Sequence, residues 1–227
     1  MSKLTPGGVA ARRRAGVVAV TFVAAGAINS AISGANPSFA YPAGLQADDF
    51  LWIPVSANVT TLWATNAISG FTRRFAIDSS GVVPTIAGFY KWATGSESGS
   101  ISATSPGGSS IGAILAYRNV DKNNPFDDAD VSFQSSASTT AYTIPAQTAS
   151  VAGAAALLVA CGNSGTGSWN ALANYNERFD TNNSNAQVIC IEDRLSLALG
   201  TTGTRSLVRS ATIRGCAQGV LLKPRTA

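Results

Sequence analysis

A chain of 227 residues, 45% apolar and only 12% charged, has material for one substantial buried core and too little charge for a disordered tail. It contains no histidine, which removes Ser–His–Asp and Cys–His nucleophiles and histidine-bearing zinc sites in their usual form. The formal charge of +4 is uneven: Lys3, Arg12, Arg13 and Arg14 precede every acid, and Arg205, Arg209, Arg214, Lys223 and Arg225 give the C-terminal end a second basic bias.

The first stretch with a pattern is ARRRAGVVAVTFVAAGAINSAISGANPSFA, residues 11–40. Basic residues, an apolar run and a small-residue end at Ser38-Phe39-Ala40 follow the order of a secretory signal peptide. Thr21 interrupts the apolar run, however, and Asn29, Ser30 and Ser33 follow it, where a membrane-inserting segment stays apolar. The expectation is a retained basic arm, residues 1–16, leading into a first strand at 17–23, with cleavage after Ala40 as the alternative. No stretch approaches the roughly 20 apolar residues that span a bilayer.

Further on, helical periodicity gives way to short apolar and β-branched runs. Strands are predicted at 50–57, 71–77, 86–93, 99–103, 110–118, 131–133, 154–161, 187–192, 205–213 and 217–222. Turn clusters separate them: SSGVVP at 79–84, TSPGGSS at 104–110, DKNNPFDD at 121–128 and NSGTGS at 163–168. In IAGFYKWAT, Ile86, Gly88, Tyr90 and Trp92 are expected on one face, with Phe89 and Lys91 on the other. There is no internal repeat and no dividing linker. The pattern predicts an all-β chain, residues 17–227 forming a single antiparallel β-sandwich of the jelly-roll kind.

The chemistry-bearing residues are few. Cys161, Cys190 and Cys216 stand far apart beside apolar residues, without a CxxC pair. They read as three buried thiols, with one disulfide plus a free thiol as the alternative. Asp48-Asp49 and Asp127-Asp128-Asp130 are the dense acidic clusters. Asp121 and Asn123 have calcium-loop spacing, but Pro125 and Phe126 then fill positions of a ligand and a glycine, so these acids read as solvated turn residues. GGSSIG, residues 107–112, lacks the lysine of a phosphate loop and reads as a hairpin. Trp52 and Trp92 fall in predicted core strands. Trp63 and Trp169 fall near loops and are the candidates for stacking against a glycan. No metal site and no cofactor are expected.

Four phrases, taken in order, resemble the β-sandwich domains of tailed-phage virion proteins, a family often labelled minor tail proteins. YPAGLQADDFLWIPVSAN, residues 41–58, is similar to a PAG-x-Q-A-G-D turn that opens a core strand. FYKWATGSESGSISAT, 89–104, resembles the family's YYK-x-ATGSE strand and hairpin. GAILAYRNVDKNNPFD, 112–127, resembles G-x-I-x-AYRGVD and its following loop, and AQGVLLKP, 217–224, the closing strand. VTFVAAGAINSAISG, 20–34, is similar to the opening strand. Two departures are expected: Asp49 in place of a usual glycine, and no PAGW turn around 60–70.

The resemblance implies a non-enzymatic virion structural protein, assembled in the bacterial cytoplasm and residing in the virion. It implies a minor tail protein, with capsid decoration or host-glycan binding as alternatives. Its partners would be other virion proteins and further copies of the chain, with a host-surface glycan as an additional one, and neither a membrane nor nucleic acid. The partner-binding residues would be Lys3, Arg12, Arg13 and Arg14; Trp63 and Trp169 would serve a glycan.

Overall fold

The apolar runs become strands in a computed structural model that describes residues 16–163, 167–183 and 187–227; these residues contain no helix. In chain order the strands are β1 (Val17–Val18), β2 (Thr21–Ala25), β3 (Asn29–Ala31), β4 (Ser38–Ala40), β5 (Ala47–Ala57), β6 (Thr72–Asp78) and β7 (Thr85–Thr94). There follow β8 (Ser100–Ser102), β9 (Ser110–Gly112), β10 (Leu115–Arg118), β11 (Val131–Ile144), β12 (Thr148–Ala149) and β13 (Ala154–Gly162). The last are β14 (Trp169–Asn170), β15 (Asn176–Asn183), β16 (Gln187–Leu197), β17 (Gly200–Thr201), β18 (Arg205–Leu222) and β19 (Arg225–Thr226).

Two antiparallel sheets dominate. One runs β2–β10–β5–β7–β6, with β9 paired to both β3 and β5; the other runs β11–β18–β13–β16–β15, with β14 added to β18. The chain is therefore an antiparallel β-sandwich. Phe50, Trp52 and Tyr117 of the first sheet meet Leu157, Val159, Ile191 and Val220 of the second in the core between them. Alternation in β7 is as expected. Ile86, Tyr90 and Trp92 join that core, while Phe89 belongs to the opposite face and Lys91 reaches over the rings of Tyr41 and Phe71.

That opposite face is not solvated. All nine residues of β13 are buried, as is β5 from Phe50 to its end. Such continuous burial requires a cover on each sheet's outer face. Trp63, Ala67, Ile68 and Phe71, with Phe39, cover Leu51, Ile53, Val55 and Phe89 of the first sheet. On the second, Tyr142, Trp169, Leu207 and Ile213 cover Leu158, Ala160, Val188 and Cys190. This second cover comes from β18 itself, through Leu207 and Ile213, with Tyr142 of β11 and Trp169 of β14. β11 pairs along both halves of β18; the C-terminal half of β18 also pairs with β13, whereas its N-terminal half also takes β14 and carries Leu207 and Ile213 over the sheet.

Several boundaries differ from the sequence expectation. The strands expected at 205–213 and 217–222 are one, because the strand runs through Arg214 at a bulge and Gly215 and Cys216 rejoin the ladder without a turn. The strand expected at 110–118 divides into β9 and β10, and that expected at 131–133 extends to Ile144. β15, NERFDTNN, lacks an apolar alternation because it is an edge strand whose polar side chains form ion pairs and hydrogen bonds. Residues 17–40 supply four strands, and Val20 and Phe39 are fully buried, so the segment is built into the sandwich.

An arginine closes each open side of the sandwich. Arg178 on edge strand β15 donates through Nε and Nη2 to fully buried Asp193, at 2.7 and 2.9 Å. Its guanidinium lies 3.7 Å above the ring of Phe22, on edge strand β2 of the other sheet. Tyr117, also of the first sheet, donates its hydroxyl to the same carboxylate at 3.1 Å, and Asn176 adds an amide donor at 3.1 Å. On the far side, Arg74 of edge strand β6 pairs with Asp130, just before β11, at 2.9 and 3.0 Å, and stacks 4.0 Å above Phe126. Burial raises the pKa of Asp130 even against this arginine.

The cover over the second sheet sits so close that glycine is required beneath it. A Cβ on Gly215 would lie 2.1 Å from the Cys161 carbonyl oxygen and 2.1 Å from Tyr142 Oη; one on Gly162 would lie 1.7 Å from Ile213 Cδ1. Backbone cannot yield as a side-chain tip can. Gly215→Ala is expected to lower unfolding free energy by about 3 kcal/mol and Gly162→Ala by about 1 kcal/mol, as read by urea denaturation.

Candidate functional site

Residues of two of the resembling phrases, 41–58 and 112–127, meet at one rim of the sandwich, around a cleft of about 340 Å³ lined by Gln46, Asp48, Asp49, Arg118, Lys122 and, from β19, Arg225. Asp49, third residue of β5, is 1% exposed. Arg118, the last residue of β10, reaches it with two parallel hydrogen bonds, Nε to Oδ1 at 2.7 Å and Nη2 to Oδ2 at 2.8 Å. Asp49 also accepts the Gln46 amide at 2.8 Å, so its charge is met by three donors. At the mouth, Lys122 pairs with exposed Asp48. Asp121 accepts the Asn123 and Asn124 amides, which folds the loop as an Asx turn.

The hairpin after β7 packs against the turn that opens β5. Glu97 accepts the Thr94 and Gly95 amides at 2.9 and 3.0 Å and pairs with Lys91 at 3.1 Å. Burial pushes the Glu97 carboxyl up, but the Thr94 amide and Lys91 together outweigh it and hold its pKa at about 2. Gly95 has φ +85°, and a Cβ there would lie 2.7 Å from the Ala47 nitrogen. β1 and β19 complete the rim. β1 pairs with β19, Val17 opposite Thr226 and Val18 opposite Arg225, and the Arg225 amide donates to the Asn119 carbonyl at 2.8 Å.

Asp48 and Asn119, both at φ +67°, occupy the left-handed region that glycine prefers. In PAG-x-Q-A-G-D and AYRGVD the glycines fall on these two residues. Aligned with the phrase that residues 41–58 resemble, the departure expected at Asp49 falls one position earlier, at Asp48, and Asp49 aligns with the aspartate. Asparagine and aspartate tolerate this backbone better than other residues with a Cβ, which suits Asp48 and Asn119 to these positions.

The other predicted site residues are distributed differently. Lys3, Arg12, Arg13 and Arg14 lie outside the described residues. Trp63 and Trp169 are 0% and 3% exposed, so neither presents a ring face to a glycan. They are the covers of the two outer faces, edge-on to Phe89 and to Tyr142 respectively. The expectation of surface tryptophans fails because a loop position does not make a side chain solvated when the sheet below needs covering. Asp127 and Asp128 are local latches: Asp127 accepts the amide and hydroxyl of Ser150, and Asp128 the amides of Thr148 and Ala129.

One titratable group has no signal in the sequence. Glu192, on the covered outer face of the second sheet, is 1% exposed and accepts the Leu172 amide at 3.3 Å. Burial, aided by the nearby charges of Glu177 and Asp180, raises its pKa to about 7, although the Leu172 amide opposes the shift. Cys190 lies 3.8 Å from it, and burial with these same acids raises that thiol far above its ordinary value. Cys190 thus directs its thiol toward a carboxyl that holds its proton to unusually high pH, and the raised thiol pKa disfavours a thiolate there. No protein-family model, curated protein or solved structure matches this chain.

Because the folded chain keeps a proton on Glu192 that the unfolded chain has released, this group favours folding fully below pH 4.5. Its contribution declines as the pH rises through 4.5 to about 7 and is lost above that. Glu192→Gln, neutral throughout, is expected to outstrip the parent by roughly 2 kcal/mol at pH 8 and by far less at pH 5. Urea denaturation at the two pH values measures the difference.

Proposed function

We propose that the chain is a non-enzymatic structural protein of a tailed-phage virion, a minor tail protein built on a jelly-roll-like sandwich that carries its basic arm. The observation that supports this most is the rim: two family glycines correspond to Asp48 and Asn119, the left-handed positions flanking the Asp49–Arg118 pair. Two of the phrases, 41–58 and 112–127, supply residues to the cleft beside that pair, and the hairpin of a third, 89–104, packs against the turn that opens β5. Their residues build turns, ion pairs and hairpins that shape a surface.

Charge supports assembly through the arm. Sixteen cationic residues face twelve acidic ones, and the four in excess are Lys3, Arg12, Arg13 and Arg14. The body from residue 16 onward is formally neutral, so an acidic neighbour would be drawn to the arm. The arm's root is fixed, since β1 is tied to β19 and the Ala227 amide donates to the Gly16 carbonyl at 2.7 Å. In this reading the neighbours are other virion proteins and further copies of the chain. Capsid decoration would use the same arm laid over the shell. A glycan-binding role would need residues other than the two buried tryptophans.

Deleting residues 1–15 is expected to leave the thermal midpoint of the sandwich unchanged and to abolish incorporation into particles, measured by immunoblot of purified virions. Normal packaging of the truncated chain would refute the role of the arm. Gold labelling of intact particles distinguishes the tail from the shell.

A further inference from the structure

We infer that Cys161 and Cys216 form a covalent modification site: under oxidising conditions they close a cross-strand disulfide that staples β13 to β18. The two residues are registered directly opposite one another on these neighbouring antiparallel strands, and their Sγ atoms are 3.4 Å apart. Opposed residues of such strands have Cα atoms about 4.5–5.5 Å apart, inside the window of about 4.4–6.8 Å that a disulfide spans. Bond formation needs the sulfurs to close to about 2 Å, which rotation about the two Cα–Cβ bonds supplies without moving the strands.

The third cysteine cannot compete. Cys161 and Cys216 belong to the core between the sheets, whereas Cys190 faces the outer cover of the second sheet, so the sheet itself separates it from the pair. Of the three pairings that three cysteines allow, the fold permits one. The pair is also protected, as both side chains are fully buried and Cys216 points its thiol toward the Pro84 carbonyl, 3.7 Å away. Burial and the adjacent thiol hold Cys216 protonated, so reaction proceeds through transient opening of the strands. The site therefore remains reduced in a reducing compartment and oxidises slowly elsewhere.

The reaction balances with a two-electron oxidant such as the diazene diamide. One cysteine sulfur adds to the N=N bond, and the second displaces that nitrogen to form the S–S bond. The two thiol protons and two electrons end on the hydrazine product. The product links residues 55 positions apart through the two central strands of the second sheet, restricting the unfolded chain.

The full chain would be incubated with diamide while being warmed repeatedly into the foot of its thermal transition, then denatured, titrated for thiols and peptide-mapped. Expected are one remaining thiol, a monomer lighter by two hydrogens, a Cys161–Cys216 peptide, and a midpoint raised by about 5–10 °C. Cys190→Ser should respond identically and then retain no thiol, while Cys161→Ser should not respond. Should Cys161→Ser fail to fold, the peptide map of the unaltered chain with Cys190→Ser decides alone. Three surviving thiols, a linkage through Cys190, or a lowered midpoint would each overturn the assignment.

Discussion

A carboxylate taken wholly out of water must be met by charge and hydrogen bonds, or the fold that buries it does not form. Asp193 is such a group, and the donors that meet it come from both sheets: Arg178 and Asn176 from β15, and Tyr117 from β10. Arg178 adds its stacking on Phe22, so one guanidinium joins the edge strands of both sheets. The sheets cannot slide past one another without breaking this set. The arrangement therefore fixes their relative position, which apolar packing alone leaves less exact. The Arg74–Asp130 pair on the other side is built on the same plan but is more exposed, at 31% and 15%, and contributes less for that reason.

Once the sheets are registered, the rest follows from burying their outer faces. A chain with few charges and many small residues cannot solvate two extra sheet faces, so it folds its own segments over them. Trp63 and its neighbours form one cover, and the bent β18 with Trp169 forms the other. The inner pair Cys161–Cys216 and the outer pair Cys190–Glu192 then lie on opposite faces of one sheet. The same sheet thus separates a redox-competent pair from a proton-holding one. Turns and charges accumulate at the uncovered rim, where Asp49 and Arg118 anchor the turn that opens β5 and β1 pairs with β19.

Much of this was legible in the sequence, and what was not has identifiable causes. Apolar runs and turn clusters marked the strands of both sheets, because burial and backbone punctuation are written locally. The alternation in IAGFYKWAT gave the correct faces of β7, since the period of a strand does not depend on what covers it. β15 escaped because its side chains answer to partners distant in sequence: Arg178 to Phe22, and Asp180 to the Trp169 amide at 2.9 Å. Trp63 and Trp169 were misplaced on the surface because covering an outer face is a tertiary demand with no local pattern. In the candidate site, Asp49 drew notice from its phrase, but its partner Arg118 is 69 residues away, and no spacing rule connects them. Glu192 gave no signal at all, since its raised pKa comes from a cover that the sequence does not announce.

The decisive measurement is a double-mutant cycle on Arg178→Ala and Asp193→Ala, read by urea unfolding. If the shared carboxylate registers the sheets, Arg178→Ala alone costs about 3–5 kcal/mol, because it strands a buried charge. The coupling between the two sites should then be about 2 kcal/mol or more. Additive effects, with a coupling below about 0.5 kcal/mol, would contradict the account and leave apolar packing as what holds the two sheets in place.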